Sequence, residues 1–117
     1  MLTINLNGNE YPMACNLRVA YELQGQHNHK PYTQILSSVD EMTIEQQLDM
    51  IYIAFKVKNP EDAKTFTKEM FRKYILDNDE LTVTTIMTII SDIIAGILGQ
   101  DLSENADAPS EPVEAKN

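Results

Sequence analysis

Along the first fifteen residues, apolar side chains recur at every second position. Leu2, Ile4 and Leu6 alternate with Thr3 and Asn5, and Tyr11, Met13 and Cys15 alternate beyond Asn7-Gly8. A period of two marks a half-buried strand, and Asn-Gly supplies the two positive-φ residues of a tight hairpin turn. A β-hairpin over residues 2–15 is therefore predicted. Pro12 cannot donate to a strand ladder, which makes the second strand short or places it at an edge.

After Asn16 the period changes to that of a helix. Asn16 is a suitable N-cap, Leu17, Ala20, Tyr21 and Leu23 form an apolar side, and Gly25 is a natural stop. A polar loop follows over residues 26–30, and Pro31 then opens a short helix carrying Tyr32, Ile35, Leu36 and Val39. Thr43 with Gln46 three residues on forms a capping box. Ile44, Leu48, Ile51, Tyr52 and Phe55 continue from it at helical spacing. The run Met50 to Phe55 has almost no polar break. That composition would also suit a strand, but the cap and the length favour a buried helix. Asn59-Pro60 stops one helix and starts the next. Glu61 and Asp62 sit at the positive end of its dipole, and Ala63, Phe66, Thr67, Met70, Phe71 and Tyr74 share one face.

An acidic turn at residues 77–80 precedes the most apolar segment. Val83, Ile86, Met87, Ile90, Ile93, Ile94, Ile97 and Leu98 follow the i, i+3, i+4, i+7 pattern. At ~100° per residue they occupy about 140° of arc. Thr84, Thr85, Thr88, Ser91, Asp92, Ala95 and Gly96 fill the opposite side, with Ile89 the bulky exception. A strand over the same residues has no polar face before Ser91, so a helix is predicted despite the β-branched side chains. About 16 residues containing Asp92 fall short of the ~20 apolar residues of a membrane span. Two roles remain open for this stripe: a core helix, or a helix partly paired with another chain. We expect it to be mainly core and to reach a self-association or client surface towards its C-terminal end. The candidate partner-binding residues are Ile86, Ile90, Ile93, Ile94, Ile97 and Leu98.

With 117 residues, 43% hydrophobic, the chain has the size and core content of one domain. Its net charge of −9 argues against nucleic acid and against anionic membrane, both of which call for clustered Lys and Arg. From Gln100 onward five acids face only Lys116, among prolines and small residues. The predicted architecture is therefore α+β, mostly α: an N-terminal hairpin and four to five helices over residues 1–99, then a disordered acidic tail over 100–117. The tail is expected to be dispensable for folding. No signal-peptide pattern opens the sequence, so the cytoplasm is the expected compartment.

Candidate chemistry is sparse. A single cysteine allows neither an internal disulfide nor a Cys-based zinc site. His27-x-His29 is half of a metal site with no third ligand at useful spacing, and a solvated loop accounts for it more simply. Cys15 with His27 or His29 as base would make a nucleophile pair, but an isolated cysteine on an apolar face is usually core. Asp40-Glu41, Glu61-Asp62 and Asp79-Glu80 fall at turns or helix starts, where capping explains them better than acid–base work. The four glycines form no phosphate loop. No catalytic residue, metal or cofactor is expected.

The opening Leu2-Thr3-Ile4-Asn5-Leu6-Asn7-Gly8-Asn9-Glu10-Tyr11, followed by Leu17-Arg18-Val19-Ala20-Tyr21-Glu22-Leu23, resembles the tail assembly chaperones of long-tailed bacteriophages, chiefly those of Gram-positive hosts. That family begins with a short hairpin, continues with a helix ending in an acidic-Leu pair and a helical body, and ends in an acidic tail. The resemblance covers residues 1–99. It departs at Asn9, where a basic residue is common, and at Pro12, which interrupts the second strand. The resemblance implies a non-enzymatic role in virion morphogenesis in the bacterial host cytoplasm: binding the tape measure protein, keeping it soluble and recruiting tail tube subunits. Such proteins are absent from the finished particle, and many are also made in a longer frameshifted form; the homo-oligomer expected of this chain rests on its apolar stripe instead. The alternative from the residues alone is a small acidic regulatory adaptor that binds one host or phage protein.

Overall fold

A computed structural model describes residues 2–99. Strands β1 (Thr3–Leu6) and β2 (Asn9–Pro12) pair antiparallel, with Ile4 opposite Tyr11 and Leu6 opposite Asn9. That register leaves Asn7 and Gly8 as the turn, with φ of 55° and 84°. These are the two positive values that let a two-residue turn follow the strand twist. Asn5 Oδ1 accepts from the Gly8 N–H at 3.1 Å. Ile4 and Leu6 are buried. Pro12 lies in a two-stranded sheet, where each strand is an edge, and its missing N–H is tolerated there.

Helix α1 (Leu17–Gln26) starts as expected, with the Asn16 side chain accepting from the Val19 N–H. It runs through Gly25 rather than stopping there. Asn28 and His29 end it, at φ of 58° and 61°, with the His29 N–H donating to Gln24 O at 2.7 Å. Asn and His are among the side chains that tolerate the left-handed region best. The Gln24 side chain then accepts from the first N–H of α2 (Tyr32–Ser37). Val39, expected on that same helix, belongs instead to a short 3-10 turn (Val39–Glu41).

Helix α3 (Ile44–Lys58) carries both halves of its capping box: Gln46 N–H to Thr43 Oγ1 at 3.1 Å and Thr43 N–H to Gln46 Oε1 at 2.9 Å. It is the hub of the fold. From Gln47 to Phe55 every residue but Asp49 is buried, because β2, α1 and three later helices pack around it. At its C-terminal end Asn59 Nδ2 donates to Pro12 O at 2.7 Å, and the Ala14 N–H donates to Ala54 O at 2.9 Å. These bonds fasten the hairpin to the helix.

The single helix expected from Pro60 to Tyr74 is two: α4 (Pro60–Thr65) and α5 (Lys68–Leu76). Phe66 leaves helical geometry at ψ 85°, and Thr67 restarts the chain by accepting from the Met70 N–H. The break swings Phe66 into an aromatic cluster with Phe55, Phe71 and Tyr74. It also leaves the Phe66 carbonyl free to accept from the Tyr52 hydroxyl at 2.9 Å. Arg72 on α5 grips Asp49 on α3 through Nε at 3.0 Å and Nη2 at 2.8 Å, and reaches Glu45 at 3.0 Å.

Helix α6 (Val83–Ile97) is capped by Thr82, ends at Leu98, and turns out at Gly99 with φ 85°. The architecture is α+β and mostly α, as the pattern predicted. The break at Phe66–Thr67 raises the α-helix count among the described residues to six. None of their helices is long and apolar enough to cross a membrane. The expected disordered tail lies outside the described residues.

Candidate partner surface

The stripe on α6 divides into three parts. Ile90 and Ile93 are fully buried at 0% exposure. Ile93 stands at one edge of the apolar arc and Ile90 near its middle, on the side that packs against α3 and α1, so neither has surface to offer a partner. The expected assignment of these two to partner binding is corrected to core. Ile86, Ile94 and Ile97 are half-buried and pack against that core. Leu98 is exposed at 56%, as is Val83 at 68% at the other end of the helix. At ~100° per residue, Val83, Met87, Ile94 and Leu98 share one flank, about 60° to 120° from Ile86. This flank, rather than the centre of the stripe, is the accessible apolar edge.

The helical period puts Gly96 on the outward side, yet it faces the protein. A Cβ built on it would fall within 2.5 Å of Cys15 Cβ and still closer to the Cys15 sulfur. The α6 backbone approaches the strand-to-helix junction so closely that only glycine fits. A small residue beside an apolar stripe was the available signal.

At the N-terminal end of α6 the exposed edge continues onto its neighbours. Ile44 and Leu76, 57% and 61% exposed, border a shallow cleft of about 150 Å³ with Leu81, Val83 and Ile86. A larger groove of about 610 Å³ runs between α1, α3, α4 and α5. Its wall includes Val57 and Ala63, and its rim carries Arg18, Glu22, Lys56 and Lys68. The groove has no local signature in the sequence, because its cations come from three separate helices.

The residues with nucleophilic or metal-ligating chemistry stay apart. Cys15 precedes α1 and His27 follows it, so ten helical residues, roughly 15 Å, lie between them. His27 and His29 occupy the turn after α1, and no group of three potential metal ligands occurs among the described residues. Asp40, Glu41, Glu61, Asp62, Asp79 and Glu80 are exposed at a 3-10 turn, a helix start and a loop. The buried Tyr52 hydroxyl has its pKa raised by desolvation, and its partners are the backbone carbonyls of Ala63 and Phe66. Its role is to pin α4 and the following break to α3. Comparison with protein-family models, curated proteins and solved structures finds no match for this chain.

Proposed function

We propose that this chain is a non-enzymatic, protein-binding assembly chaperone of a long-tailed phage, which holds the tape measure protein soluble and recruits tail tube subunits in the bacterial cytoplasm. The resemblance of the hairpin and first helix supports the reading. The observation that carries it is the apolar flank of α6, exposed at Val83 and Leu98, on a chain of net charge −9. A partner for an aggregation-prone helical client needs apolar surface to cover it and charge to keep the complex in solution. The regulatory adaptor would present a similar surface but would not act on a tape measure protein.

Co-expression with the tape measure protein encoded beside this gene tests the proposal, read as the soluble fraction after centrifugation. The chain is expected to raise that fraction and to co-purify with the client, and Leu98→Asp is expected to weaken both effects. Absence of a long tape measure gene nearby, or an unchanged soluble fraction, overturns it.

A further inference from the structure

The groove between α1, α3, α4 and α5 has a charge opposite to that of the molecule around it. Residues 1–99 hold 8 bases and 13 acids, yet the groove's rim has three cations, Arg18, Lys56 and Lys68, against Glu22 alone. Arg18 is tied to Glu22 at 3.6 Å, in an exposed pair that water screens. Lys56 and Lys68 form no ion pair with any described residue. Between the cations the wall is apolar, with Val57 and Ala63 half-buried. Such a site fits an acidic segment with scattered small apolar side chains.

We propose that its occupant is the chain's own C-terminal segment, residues 101–114. That segment carries Asp101, Glu104, Asp107, Glu111 and Glu114 with no cation, and Leu102, Ala106, Ala108 and Val113 among them. It starts in the right place. Gly96 packs on Cys15, three residues before Arg18, so the chain leaves Gly99 close to the α1 end of the groove. It is also long enough. Residues 100–117 extended reach up to ~60 Å, and the longest dimension of the described body is 42 Å. The tether raises the effective concentration of the segment to the millimolar range, so contacts too weak to hold a free peptide suffice. The docked segment neutralises the rim and competes with any other acidic ligand for the groove.

The test uses the full chain with p-benzoylphenylalanine in place of Ala108, irradiated and mapped by mass spectrometry. The expected cross-links join position 108 to α1 and to the α3–α5 wall within the same molecule. They should be lost in about 1 M salt, where the Debye length is about 3 Å. They should also be lost when the five acids of the segment become Asn or Gln, a change that leaves the described body untouched. Lys56→Glu with Lys68→Glu should abolish them, and Lys56→Arg with Lys68→Arg should keep them, helical circular dichroism being retained in both. Cross-links scattered over other faces, cross-links indifferent to salt and to the neutralised segment, or cross-links between differently isotope-labelled copies each overturn the proposal.

Discussion

Replacing Gly96 by alanine tests the packing of α6 at its tightest point. In an exposed helix interior, alanine is more stable than glycine by up to about 1 kcal/mol. Here the added methyl meets Cys15 Cβ at 2.5 Å, and the Cys15 carbonyl oxygen lies at 3.2 Å. Neither of those atoms is the far end of a flexible side chain, so backbone must move. Overpacking of this kind typically costs about 1–3 kcal/mol. The steric cost exceeds the propensity gain, and Gly96→Ala should lose roughly 0.5–2 kcal/mol net. At this size each kcal/mol lowers Tm by roughly 4–8 °C.

Gly25 is the internal control. It lies in α1, and nothing comes within 4 Å of a Cβ built on it. Gly25→Ala should therefore gain roughly 0.5–1 kcal/mol, the opposite sign for the same chemical change. A double-mutant cycle isolates the contact. Cys15→Gly removes the two atoms nearest the new methyl, and in that background Gly96→Ala should turn neutral or favourable, a coupling of about 1–3 kcal/mol. Urea unfolding followed by circular dichroism gives all four stabilities. If Gly96→Ala stabilises the chain as Gly25→Ala does, the close approach of α6 to Cys15 is wrong.

Three further substitutions address the other joints of the fold. Tyr52→Phe removes a hydroxyl that donates to the carbonyls of Ala63 in α4 and Phe66 just after it, and should cost about 0.5–1.5 kcal/mol at neutral pH. Because burial raises the Tyr52 pKa above 10.0, its contribution is complete below pH 10.0 and is lost as pH rises further, so the variant should show a shallower alkaline loss in pH-dependent unfolding. Arg72→Lys breaks the fork on Asp49 while keeping the charge, and should cost about 1–2 kcal/mol in urea unfolding; no loss would show that charge alone holds α5 to α3. Ile90→Asp places a charge at a fully buried position and should unfold the chain, whereas Leu98→Asp should keep the helical spectrum; equal effects of the two would refute the division of α6 into core and edge.

Where the chain's own backbone or a neighbouring side chain decides the structure, the sequence was readable. Asn7-Gly8 set the hairpin register, and Asn16 and Thr43 with Gln46 marked two helix starts, because each acts within three residues. The differences have two causes: a stronger local signal a few residues on, or a distant contact that overrides the local one. Gly25 has no steric need to end a helix, and the left-handed pair Asn28-His29 ends it instead. The apolar face running from Ala63 to Tyr74 kept its period across a break. Packing Phe66 against Phe55 and Phe71 favours leaving the helix there, and Thr67 is the local capping signal for the restart. On α6 the periodicity located the apolar arc correctly. It could not say which part faced α3, since that depends on how α3 and α1 sit against it. The large groove left no local trace, because α1, α3, α4 and α5 meet only in the folded chain.

The exposed flank of α6 follows from how few neighbours this helix has. An apolar arc of about 140° is wider than the contact that one helix makes with another. The main interhelical contacts of α6 are with α3 and α1, against which Ile90 and Ile93 are fully buried. The arc's other edge, from Val83 to Leu98, stays partly in water along about 22 Å of helix axis. That length is a strip rather than a point, and it matches about four turns of a client helix laid alongside. An uncharged molecule with such a strip would tend to pair with itself. This chain carries −9, and repulsion between like-charged copies opposes that pairing at low salt. The balance between strip and charge has a measurable consequence: added salt should promote self-association of the wild-type chain in light scattering, and Leu98→Asp should blunt the response. If the wild type stays monomeric at every salt concentration, charge is not what keeps the strip free.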